Sequence, residues 1–564
     1  MLNDGCPIPH FPVVNSQRSF SNFLVAGVIA LLAIAIAGFY WFFVKNPVNL
    51  VASTSQPNAA IFVSKVAPVM VSLLANPDQL QALDSKNQLS EIKSNLLSKS
   101  IIDYRQDIQP WLGKEITLAV TNLDIDREPE NGLQPGYLMA LATTKPDKSR
   151  EFIELLFSRR VLAGGNLITE EYKGVKLLSD DTPTKQGFLA GALVGDFLLF
   201  ANDVKVLRDA INNVQAADLN LTNSVQYQKA VQQVPENSLA VAFLNLPIVA
   251  KWQGLELSQP TYNSQIISLK LNSQGLLAET SFFTTLTSVT PSPSLSPTVG
   301  ALKYIPSKAG LAISGANLSN LEQSELAKLW RQATATVYGS DEDAIAKLSP
   351  SLADIPRRWN INLKADIFSW VQGEYAIALI PQNQQKIASW VFVVENSPQV
   401  SAGIARLDAI AATKGLSINT LTLAQQKVSA WTQLSATSKP TETKNQAPLA
   451  VEAKVQGVHT TLGNYEIFTS DLETLNQILT SEENSLMSNR HFQDSIAAIP
   501  RPNQGYIYLD WLKSRQFLER QLPILKLAEV LVKPFFNQLR SLTISSYSSN
   551  TESLKADVLF QLQQ

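Results

Sequence analysis

Ten residues beginning at Trp111, WLGKEITLAV, return 259 residues later as WVQGEYAIAL beginning at Trp370. Three further segments repeat in the same order. VGDFLLFAND from Val194 matches LGNYEIFTSD from Leu462, 268 residues on. YQKAVQQVP from Tyr227 matches FQDSIAAIP from Phe492 at a separation of 265, and LLAE from Leu276 matches LKAD from Leu554 at 278. Each match is weak alone. Four in one order, with modestly varying separation, argue for two copies of one unit. The chain therefore reads as two related modules, residues 51–284 and 300–564. Residues 285–299 fall within a stretch rich in Ser, Thr and Pro, which reads as an extended, stiff linker. A second polar stretch, Ser435–Pro448, reads as a surface loop inserted in the second copy.

Within a copy, strands and helices mix. Ile116–Val120, Tyr137–Thr143, Gly187–Val194, Phe197–Ala201, Leu239–Leu246, Ile266–Leu271 and Leu276–Phe283 read as strands. Gly195 and Asp196 predict a tight hairpin, because both accept positive φ. Asn202 or Asp203 predicts a helix N-cap, with Val204, Leu207 and Ile211 on one face, and Ser224–Val234 reads as a helix ended by Pro235. Longer helices are expected over Ser85–Ile108 and Leu512–Leu542; the second, bearing Lys513, Arg515, Arg520, Lys526 and Lys533, has a membrane-lying alternative. The expected fold class is α+β: two tandem related modules, each a mainly antiparallel sheet with helices on one face, plus one N-terminal transmembrane helix.

That last helix is expected at residues 23–44, FLVAGVIALLAIAIAGFYWFFV, where no charge occurs. At about 1.5 Å per residue it reaches across a hydrocarbon core of about 30 Å. Arg18 and Lys45 bracket it, and Phe39 to Phe43 supply interfacial rings at one end. The run is too long for a cleaved signal peptide, and no small-residue site follows it. Residues 1–22 read as a disordered cytoplasmic tail, with the body exported. Positive charges on the two flanks nearly balance, so the orientation rests on the usual signal-anchor outcome.

The search for chemistry returns no catalytic, cofactor-binding or metal-ligating residues. Of 564 residues only Cys6 is a cysteine, which excludes an intrachain disulfide and a thiolate cluster. His10, His459 and His491 have no paired spacing, and each is read as structural or superficial. Ser314 lacks the flanking glycines of a nucleophile elbow, and Gly164-Gly165 is a turn. Asp124, Asp126 and Glu128 lack the glycine and closing glutamate of a calcium loop. They read as a solvated hairpin tip, and Asp341 to Asp343 as a helix start. Trp111 and Trp370 read as core anchors repeated in both copies. A net charge of -2, with dispersed Lys and Arg, excludes a nucleic-acid field.

The W-x-x-x-E strand, the Gly-Asp/Asn hairpin and the apolar run together resemble the uncharacterised cyanobacterial membrane-anchored proteins classed as a domain of unknown function. The resemblance spans most of residues 50–564 and rests on structural motifs. It implies a cyanobacterial source and a plasma or thylakoid membrane, with the body on the periplasmic or lumenal side. It carries no catalytic residues. The expected function is that of a membrane-tethered, non-catalytic scaffold or assembly protein with a protein partner. The alternative is a carrier of an apolar ligand, a lipid or pigment.

Overall fold

The computed structural model describes residues 56–74, 104–128, 130, 132–180, 189–252, 262–284, 295, 298–319, 362–382, 388–438, 449–480, 484–521, 533–550 and 553–563. The first half holds strands β1 (Val69–Leu73), β2 (Leu112–Asn122), β3 (Gly136–Thr143), β4 (Leu167–Tyr172) and β5 (Val175–Asp180). It continues with β6 (Leu189–Val194), β7 (Phe197–Ala201), β8 (Ala240–Asn245), β9 (Ser264–Asn272) and β10 (Gly275–Phe283). The second half holds β11 (Leu311–Ala316), β12 (Glu374–Ile380), β13 (Ser389–Glu395), β14 (Ser417–Leu423) and β15 (Gln426–Ser438). It ends with β16 (Leu449–Leu462), β17 (Tyr465–Thr469), β18 (Gly505–Asp510), β19 (Leu539–Asn550) and β20 (Ser553–Leu562).

Antiparallel pairing orders the first half in space as β4-β5-β6-β7-β3-β2-β1-β8-β9-β10. The second half runs β14-β15-β16-β17-β13-β12-β11-β18-β19-β20, the same order strand for strand. Then β10 pairs with β20 along its whole length, from Gly275 opposite Gln561 to Phe283 opposite Ser553. Equivalent strands of the two copies thus meet antiparallel, which makes the joint a local two-fold. The result is one 20-stranded sheet.

This corrects the expected fold class. The copies are not tandem modules standing apart; a continuous hydrogen-bonded ladder runs from one into the other. Each copy alone would leave β10 or β20 open at one end, and pairing these two removes both of those edges, with β4 and β14 left at the ends of the sheet. Nor do the helices keep to one face. Neighbouring strand residues point to opposite faces. Leu141, Leu198 and Phe200 gather with Phe152, Ile153 and Phe157 of the helix Pro146–Leu162. Leu138, Ala140, Leu199 and Ala201 gather instead with Val206 and Leu207 of the helix Val204–Gln215. The second copy repeats the division. Trp370 and Phe468 pack with Val400 of the helix Pro398–Thr413, whereas Val391, Val393 and Ile467 pack with Leu475 and Phe492 of the helices Leu472–Thr480 and Arg490–Ala497. Two-sided cover explains why Ala240 to Leu244 is buried at every position rather than at alternate ones.

The hairpin prediction at Val194–Phe197 matches the structure: β6 and β7 turn at Gly195, φ 56°, and the equivalent Gly463 has φ 60°. Asp203 caps the following helix, its carboxylate accepting from Lys205 N at 2.7 Å. The helix expected over Leu512–Leu542 ends early, at Gln538, and residues 522–532 of it lie outside the described residues. It forms as Trp511–Gln521 and Lys533–Gln538, and the chain enters β19 at Leu539. The expected loop at Ser435–Pro448 begins as strand, because β15 runs to Ser438. The apolar run 23–44, most of the helix Ser85–Ile108, Cys6, His10 and Asp341 to Asp343 lie outside the described residues. Among the described residues no helix is long and apolar enough to cross a membrane.

Candidate functional site

The repeated W-x-x-x-E motif performs the same mechanical task twice. Trp111 Nε1 donates to Asp107 O, and Trp370 Nε1 to Asp366 O, each at 2.7 Å. Arg159 then holds Asp107 at 3.1 Å, and Arg406 holds Asp366 at 2.6 Å. Glu115 accepts from Asn58 N at 3.0 Å and Ala59 N at 2.8 Å, closing the start of a short helical turn, Asn58–Phe62. Glu374 accepts from Gly300 N at 2.6 Å at the start of the turn Gly300–Tyr304. Burial raises the Glu115 carboxyl above its ordinary pKa, against the pull of those two backbone donors. Both tryptophans are buried, as their reading as core anchors requires.

Two polar clusters break this symmetry. The first surrounds His459 on β16, which is 7% exposed. Its Nδ1 lies 2.7 Å from Glu466 Oε1, and its Nε2 lies 3.6 Å from Asp408 Oδ1 without a hydrogen bond. Trp431 Nε1 donates to Asp408 Oδ1 at 2.7 Å, and Thr461 Oγ1 to Glu466 Oε2 at 2.6 Å. The imidazole joins a three-ring cluster, its centroid 5.4 Å from those of both Trp431 and Phe468, which lie 6.4 Å from each other. Register makes Gly191 the counterpart of His459, since Gly191 lies opposite Phe200 and His459 opposite Phe468. A Cβ at Gly191 would come within 2.7 Å of Ile153 Cδ1, so the first copy fills with isoleucine the space that the second gives to the imidazole. Through the Trp431–Asp408 hydrogen bond the cluster fastens the helix Pro398–Thr413 to the sheet.

The second cluster lies on the local two-fold itself. Glu279 of β10 faces Asp557 of β20, and these are the last residues of the matching LLAE and LKAD segments. Lys270 of β9 pairs with Glu279, while Tyr547 of β19 donates to Asp557 Oδ1 at 3.0 Å. Lys555 reaches Gln233 Oε1 at 2.7 Å. Asp557 is fully buried, and its Oδ2 has no hydrogen-bond partner among the described residues. Burial pushes its pKa up to about 6, and the Glu279 charge adds to the rise. Like charges directly opposite on neighbouring strands repel, so a proton on Asp557 relieves the contact.

The other sequence candidates are dispersed. Ser314 is buried in β11, where its Oγ accepts from Tyr506 N at 3.3 Å. His491 starts the helix Arg490–Ala497; burial and then the nearby Arg540 lower its pKa. Asp126 closes the β2–β3 turn by accepting from Glu128 N at 3.0 Å. Gly164 ends the helix Pro146–Leu162 with φ 94°. Among the described residues no three His, Cys, Asp or Glu side chains group as a metal site. A surface cleft of about 240 Å³ lies beside Arg150, Glu154, Lys176 and Leu178. Sequence reasoning missed both clusters, although the LLAE and LKAD match already aligned Glu279 with Asp557.

The family described as "Protein of unknown function (DUF3352)" matches residues 24–562. No curated protein matches the chain. The chain is similar to crystal form I of TP0453 at 10% identity and a TM-score of 0.24, over 42% of this chain and 82% of that one. Crystal form IV of TP0453 gives 11% identity and a TM-score of 0.24, over 41% and 81%.

Proposed function

The chain belongs to the DUF3352 family of proteins of unknown function, and from that premise we propose that it is a membrane-tethered, non-catalytic scaffold. The observation that carries this reading is the β10–β20 joint. Twenty strands at about 4.8 Å spacing give a hydrogen-bonded platform roughly 90 Å across, measured along the ladder. A platform of that width, covered by helices on both faces, presents separated surfaces in fixed relation. The tether is the apolar run 23–44, and the cyanobacterial plasma or thylakoid membrane follows from the resemblance of the motifs. The body then works at the periplasmic or lumenal face.

The carrier reading needs a roomy apolar space between sheet and helices. Among the described residues the cores on both faces are instead occupied by side chains at or near zero exposure, such as Phe243, Val206, Val391 and Leu475 on one and Leu198 and Val394 on the other. The cleft beside Arg150 and Glu154 is charged and smaller than the ~300–1,000 Å³ usual for ligand pockets. Native mass spectrometry of the full-length protein, extracted from its own membranes in mild detergent, tests the choice. A stoichiometric adduct of a different protein supports the scaffold. A lipid or pigment adduct without protein replaces it with the carrier. Release from membranes by alkaline carbonate alone would remove the tether from the proposal.

A further inference from the structure

The 20-stranded sheet has two ends, β4 and β14, which occupy equivalent places in the two copies. Among the described residues each pairs on one side only. An edge strand offers a row of unpaired N–H and C=O groups, and soluble proteins blunt such edges with charge, proline or bulges. The β4 edge is blunted in this way. Its sequence LITEEY carries Glu170 and Glu171, and Arg208 clasps Glu170 from the neighbouring helix, Nε to Oε1 at 3.0 Å. The β14 edge is not. Over SINTLTL it has no charge, proline or glycine, and Ile418 is 41% exposed. Threonine, isoleucine and leucine suit a strand that will be paired on both sides.

We propose that β14 is a self-association edge, pairing antiparallel with β14 of a second copy of this chain. Three observations select that occupant. The molecule already buries one pair of equivalent edges in this way, at β10 and β20. Two β14 strands meet without a charge between them, whereas two β4 strands would set Glu170 and Glu171 against their own copies. A two-fold contact at one end closes after a single addition and leaves the acidic β4 ends outward, so no filament grows. The inference does not depend on the scaffold reading.

The test is mass photometry and analytical ultracentrifugation of the full chain in mild detergent. Wild type is expected to be a concentration-dependent dimer. Thr420→Lys with Thr422→Lys places like charges across the joint and weakens the dimer at least about tenfold. Mixing that variant with Thr420→Glu/Thr422→Glu restores a mixed dimer, which also establishes that both variants are folded. Ile168→Lys on β4 leaves the dimer unchanged. A wild type monomeric throughout, or a dimer indifferent to the β14 charges, overturns the proposal. So does a dimer lost with Ile168→Lys, or an open-ended series of oligomers from β4–β14 pairing.

Discussion

Asp557 ties one carboxyl to the stability of the whole sheet. Its folded pKa of about 6 lies above the ordinary value of 3.8. The folded chain therefore holds the proton more tightly than the unfolded chain does. The resulting stability is fully present below pH 3.8, is lost as pH rises to about 6, and changes no further above that. At ~1.4 kcal/mol per pKa unit the difference amounts to roughly 3 kcal/mol. Asp557→Asn should remove this fall and stabilise the protein at neutral pH, as read by denaturant melts across that range. A wild-type stability that stays level or rises from pH 4 to 6 would contradict the assignment. Glu374 serves instead as a hydrogen-bond acceptor for two parts of the second copy. Glu374→Ala leaves Gly300 N and the Tyr465 hydroxyl without their acceptor and should cost about 1–3 kcal/mol in chemical denaturation. Glu115 and Glu374 were visible in the sequence as repeated letters. Their task was not, because Glu115 closes a turn at Asn58, 57 residues away along the chain.

Helices and strands were legible where their signals are local. The β6–β7 hairpin, the Asp203 cap and β7 itself follow from glycine, capping and alternation within a few residues. The helix Pro146–Leu162 carried no comparable signal. Its apolar residues are spread around the axis, and Leu155, Val161 and Leu162 are exposed at 42%, 44% and 88%. Strand β4 was obscured because both its faces are largely exposed. The helix Pro398–Thr413 offers a test of how tightly an element is seated. Gly403 faces Trp370, and a Cβ there would lie 2.5 Å from the indole. Alanine favours a helix interior by about 1 kcal/mol over glycine, but overpacking typically costs ~1–3. The indole is pinned by its bond to Asp366 O and cannot step aside. Gly403→Ala should therefore destabilise the protein by about 1–2 kcal/mol and alter the near-ultraviolet tryptophan signal; an unchanged melt would mean that the helix slides freely.

At the scale of the molecule, the β10–β20 ladder should make the body unfold as one unit. Ala556 sits in the middle of β20, opposite Thr280 of β10 and Ser546 of β19. Ala556→Pro removes a ladder donor at ~3 kcal/mol or more. A single calorimetric transition in the wild type should divide into two in this variant, one for each copy. Two transitions already present in the wild type would deny that the joint couples the halves. The duplication, most central strands, the glycine hairpins and the repeated tryptophan and glutamate anchors can be read from residues alone, because each is written in side-chain pattern over a short span. That β10 meets β20, that both faces are covered and that Glu279 faces Asp557 emerge from packing in three dimensions. Alternation declares that a strand will pair, but backbone N–H and C=O groups are alike along every strand. The pairing of β10 with β20 across some 278 residues therefore depends on how whole copies pack, which no single strand's pattern encodes.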